Sequence, residues 1–133
     1  MNYLFPFDNI VIGALVFVVG FVFHWLGQTI SLLNWQFAEK IGLQEAKMPK
    51  EYKVYEHATA VADCLLGWIY GVAAVGLFLN AAWGYKLVWF PGVVLVYHGI
   101  SFWFWTKNRN NIGVQLESSA LRIGWTLANI VTG

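Results

Sequence analysis

The chain reads as an all-α membrane protein, an antiparallel bundle of four transmembrane helices. Three observations predict that class: composition, recurrent long apolar runs, and the confinement of most basic residues to two segments between them. Of 133 residues, 59% are hydrophobic and 11% are charged, whereas an ordinary soluble domain carries roughly 25% charged residues. A helix rising 1.5 Å per residue needs about 20 apolar residues to cross a bilayer core, and runs of that length recur from residue 10 onward. The whole chain, 1–133, is expected to form a single integral membrane domain with helices at about 9–41, 49–83, 87–106 and 112–131.

The first helix opens at Asp8 or Asn9, either of which can cap free backbone amides. The N-terminus lacks the basic region of a secretory signal and the apolar run that follows is too long for one, so this helix is expected to be retained. Gly13, Gly20 and Gly27 recur every seven residues and mark a seam where another helix can approach closely. Gly20, His24, Gln28 and Ser31 form a small or polar stripe beside it. Phe17, Val18, Phe21, Val22 and Trp25 are better suited to lipid. Trp35, Ala38 and Ile41 keep the helical spacing, and Gly42 is a reasonable stop.

The second helix carries the most informative stretch, from Val54 to Trp83. Its only charge between Ala58 and Ala82 is Asp63, which shares one stripe with Gly67 and Gly71 at spacings of four. An intramembrane carboxylate costs several kcal/mol unless paired, protonated or hydrated, so this stripe must face protein rather than lipid. The turn NAAWGYK is short and returns the third helix antiparallel to the second. Pro91 falls near the start of that third helix, where a missing amide costs little. Trp103 and Trp105 mark its far interface, just before Lys107 and Arg109.

The last segment holds both Glu117 and Arg122 in a span that barely reaches membrane length. It is read as a fourth crossing with its polar stripe buried in the bundle; an amphipathic helix lying at the interface is the alternative. Lys40, Lys47, Lys50 and Lys53 follow the first helix and Lys107 and Arg109 follow the third, against Lys86 alone on the other side. Residues 42–53 and 106–111 are therefore expected in the cytoplasm.

Depth arithmetic gathers the intramembrane polar residues into one cluster. His24 lies about 16 Å in from Trp35, His98 about 12 Å from Thr106 and Arg122 about 16 Å from Asn111, with Asp63 and Glu117 about 9 Å from their helix ends. The expected cluster is His24, Asp63, His98, Glu117 and Arg122, with Asp63 paired to Arg122. Gly13, Gly20, Gly27, Gly67 and Gly71 are the expected packing residues.

Several function classes fall away. A net charge of +1 supplies no basic face for nucleic acid. One cysteine, Cys64, gives neither a disulfide nor a thiolate metal cage. No HExxH, ExxH pair, GxSxG or phosphate-binding loop is present, so no catalytic residue is assigned. Three readings stay open. The first is an accessory subunit without chemistry of its own, packing into a larger membrane complex through aromatic and small-residue faces and surrounded by bound lipids; eight Trp, six Tyr and ten Phe favour it. The second is a redox module with haem b held by His24 and His98, or a quinone beside them. The third is a small transporter or channel component using Asp63 and Glu117.

Overall fold

The computed structural model describes residues 3–4, 7–45, 48–113 and 118–133. Its architecture is helical, preceded by a two-residue antiparallel strand pair, Tyr3–Leu4 with Phe7–Asp8. The helices are α1 (Asn9–Leu33), α2 (Trp35–Lys40), α3 (Lys50–Phe78), α4 (Ala82–Asn111) and α5 (Ser119–Thr132). Among the described residues, three helices, α1, α3 and α4, are long and apolar enough to cross a membrane. The fourth expected crossing is shorter than predicted: α5 has 14 residues, about 21 Å of helix. Residues 114–117 of that expected span, Glu117 among them, lie outside the described residues, as do residues 46–47 of the expected cytoplasmic segment.

Helix α1 starts where a cap allows it. Asp8 Oδ1 accepts from the Ile10 amide at 2.7 Å, and the buried Asn9 side chain donates to the Leu77 carbonyl at 2.9 Å, tying the start of α1 to the end of α3. Over Val16–Leu26 the backbone adopts the wider π-helical register, a form often found at functional sites. The predicted continuous helix to residue 41 is broken at Asn34, whose backbone leaves the helical path while its side chain caps α2 by accepting from Phe37 N at 3.0 Å.

Helices α1 and α3 run antiparallel and interlock through their glycines. Within lipid no hydrophobic force drives helices together, so close packing of small residues must do it. Gly13 meets Leu77 and Phe78, Gly20 meets Tyr70, Gly71 meets Phe21, and Gly67 meets Trp25. Gly27 is buried at the other end of α1, near Leu43. Phe21 and Trp25, read from sequence as lipid-facing, instead press into the α3 glycines, with Phe21 stacked on Phe17 at a ring-centre distance of 5.2 Å and on Trp25 at 4.8 Å. The Trp25 indole N–H also donates to the Cys64 carbonyl at 3.1 Å.

Helix α3 ends earlier and α4 begins earlier than predicted. Asn80 takes a positive φ of 53° and Ala82 already opens α4, which leaves Pro91 in the third turn, just after a local break at Val88. The continuation of α4 to Asn111 makes residues 106–111 helical rather than a loop. Arg109 explains it, buried at 2% exposure with its guanidinium 3.8 Å over the Trp105 ring and Nη1 3.5 Å from Glu45 Oε2. The apolar core, including Val16, Ala73, Ala74, Leu77 and Leu95, sits toward the α3–α4 turn. At the opposite end α3 and α4 stand apart.

Candidate intramembrane site

The gap between α3 and α4 is a cavity of about 870 Å³, walled by α1, Gly42–Glu45, α3, α4 and α5. Three polar side chains meet on its wall. Asp63 lies one turn before Gly67, where α3 is interrupted and Gly67 N donates to the Asp63 carbonyl at 2.7 Å. His98 projects from the middle of α4, and its Nε2 is 3.1 Å from Asp63 Oδ1. His24, on the π-helical part of α1, brings its ring centre to 4.6 Å from that of His98.

Each member is fixed by a neighbour. The Asn129 Nδ2 group donates to the Trp125 carbonyl at 2.9 Å, which turns Oδ1 toward His24 as an acceptor. The His24 Nε2–H accordingly donates to that Oδ1 at 2.6 Å. Asp63 uses only one oxygen. Its Oδ2 is buried without a hydrogen-bond partner, in a side chain 9% exposed. Uncompensated burial of a carboxylate oxygen is costly, so Asp63 is left with an unused acceptor beside the cavity that it lines.

The structure brings together His24, Asp63 and His98 and separates Arg122 from them. The expected Asp63–Arg122 pair does not form, since Asp63 meets His98 while the Arg122 guanidinium lies 4.8 Å over Trp103. The cause is the start of α5. Depth counted from Asn111 put Arg122 level with the histidines, but α5 opens at Ser119, whose preceding residue Ser118 caps it. Arg122 is then only about 5 Å into its helix, and Asn129, two turns further, reaches the histidines. Glu117 lies outside the described residues.

The two imidazoles of the expected haem pair, His24 and His98, lie closer together than a haem would hold them. Axial imidazoles bound at about 2 Å on opposite faces of an iron hold their ring centres more than about 6 Å apart, and these rings are at 4.6 Å, tilted by 38°.

Sequence reasoning missed Asn129, Arg109 and Glu45. The signal for Asn129 was its place on the Arg122–Thr126 stripe. The signal for Arg109 was its pairing with aromatic residues, and Tyr52 and Tyr55 do meet Trp105 at 6.2 and 6.1 Å on that side of the cavity. No protein-family model, curated protein or solved structure matches this chain. The class defined by its helices is that of a helical membrane protein, with three spans of sufficient length and apolarity.

Proposed function

We propose that the protein is a multi-pass membrane component of the carrier or channel class. In this reading it admits a cation from the α2–α3 side to a seat formed by His24, Asp63 and His98. The observation that supports it is the open cavity bearing the Asp63–His98 pair on its wall. Ionisable side chains inside a bilayer are tolerated where they pair or line a hydrated path. Asp63 is the acidic member of the seat and borders the cavity, which favours a cation over an anion. In the same reading α5 is the fourth member of an antiparallel bundle, and the lysine-rich α2–α3 side faces the cytoplasm.

Accessibility labelling tests this without knowledge of the solute. In a Cys64→Ala background, Ser101→Cys, on the cavity wall, should react with a membrane-impermeant thiol reagent applied from the α2–α3 side. Asp63→Asn should abolish cation uptake into proteoliposomes. An unreactive thiol at 101 beside a reactive one at the exposed Glu51 position overturns the proposal.

A second reading, an accessory subunit in a larger membrane complex, is favoured by Trp89 and Phe104, whose large rings are 71% and 54% exposed on the bundle surface. Recovery of the protein from native membrane in mild detergent as a lone monodisperse chain removes that reading.

A further inference from the structure

Resting on the cation-seat reading, we infer that the seat is built for a first-row divalent transition metal, zinc foremost, held by His24, Asp63 and His98. One ligand atom from each residue lies within 4.8 Å of the others. Around a tetrahedral zinc, donors at about 2.1 Å stand about 3.4 Å apart, so closing the set takes small side-chain rotations and no backbone movement. Asp63 Oδ2 is buried without a hydrogen-bond partner, an acceptor left uncompensated beside the two imidazoles.

The neighbours prepare the ligands. Asn129 Oδ1 accepts from His24 Nε2–H, which leaves the lone pair of that ring on Nδ1. An outer hydrogen bond of this kind is what orients metal-binding histidines and sets their tautomer. The His98 Nε2–H donates to Asp63 Oδ1 at 3.1 Å. A metal entering here takes the place of that hydrogen between them; the proton moves to His98 Nδ1, so that a neutral imidazole and a carboxylate both become ligands.

Donor chemistry narrows the metal. Two imidazoles and one carboxylate suit zinc, iron(II), cobalt(II) and their neighbours, whereas calcium and magnesium require oxygen donors and copper(I) prefers sulfur. Cys64 is not part of the set, since its Sγ lies 3.3 Å from Thr29 Oγ1 on the α1–α3 seam. Three protein ligands leave coordination positions that open to the cavity, the arrangement of a site that exchanges its occupant rather than a closed structural one.

The test is a cobalt(II) titration of the full chain, purified in detergent and stripped with chelator, followed by visible absorption and zinc competition. The expected result is one cobalt per chain, displaced by zinc and unaffected by calcium or magnesium. His98→Ala and Asp63→Asn should lose it while remaining monodisperse, and Asn129→Ala should weaken binding by about 10–100-fold, as outer-shell changes do. Absence of cobalt binding by the wild-type protein overturns the inference. So does equal binding by a His24→Ala, His98→Ala double variant, or displacement by calcium. None of these results touches the Ser101→Cys labelling, so a hydrated cavity without a metal is told apart from the absence of a hydrated cavity.

Discussion

Gly76 and Gly84 place the backbones of α3 and α4 in contact: a Cβ on Gly76 would fall 2.6 Å from the Gly84 Cα. Backbone cannot swing aside as a side chain can. Gly76→Ala should therefore force the α3–α4 turn apart and cost about 1–3 kcal/mol, the range for overpacking. Gly124 is its control, because a Cβ there meets nothing within 4 Å. Gly124→Ala should gain up to about 1 kcal/mol from helix propensity. Thermal melting in detergent, read by a fluorogenic thiol dye on the half-buried Cys64, ranks the two. Equal melting temperatures would show that the glycine contact contributes nothing.

Asn129 links α5 to α1 through one side chain, and it is fully buried. Asn129→Leu leaves the His24 ring nitrogen buried without its acceptor, a loss of about 1–3 kcal/mol. Pairing it with His24→Phe removes both polar groups and should restore part of the melting temperature. If the double variant melts at the sum of the two single losses, the hydrogen bond is not what joins these helices.

How far the site was legible follows from what each residue needed. Asp63, Gly67 and Gly71 fall on one stripe by spacing alone, and the structure buries all three. His24 and His98 come out at similar depth because the ends of α1 and α4 on the α2–α3 side are marked by aromatic and polar residues. Arg122 was misplaced because the helix start was set at residue 112 and the cap signal of Ser118, whose Oγ accepts from Leu121 N, was passed over. A seven-residue delay shifts every depth by about 10 Å. The break at Asn34 was missed for a related reason: the apolar period continues through Trp35, Ala38 and Ile41, and periodicity does not register a cap formed in mid-run. Arg109 was assigned to a loop from its charge, although stacking on Trp105 and contact with Glu45 let a guanidinium be buried within a helix.

Arg109 also predicts what narrows the way into the cavity. Its guanidinium joins Glu45, in the segment after α2, to Trp105 on α4, and Gln44 donates to Ser31 Oγ at 3.2 Å from the same segment. Glu45 and Trp105 both border the cavity. Arg109→Met should loosen this contact and speed the labelling of Ser101→Cys from the α2–α3 side, with little change at an already exposed thiol such as Glu51→Cys. Unchanged labelling at 101 would mean that access does not pass this contact.

The final prediction separates the pairing seen in the structure from the one that depth arithmetic suggested. Asp63 and His98 are in direct contact, while Arg122 lies over Trp103 on the side of α4 that faces α5. Residues in contact show coupling energies of about 0.5–3 kcal/mol in a double-mutant cycle, whereas distant ones add. Asp63→Asn exchanges the carboxylate for a neutral amide and His98→Gln exchanges the imidazole for a longer amide, so each weakens this contact and should lower stability. Together they should lose less than the sum of the two, because the second change acts on a contact already weakened. Asp63→Asn combined with Arg122→Gln should lose the sum, since neither residue reaches the other. Melting of the five variants in one detergent decides it. Coupling between Asp63 and Arg122, or strict additivity between Asp63 and His98, would place the Asp63 carboxylate against a different partner and remove the foundation of the intramembrane seat.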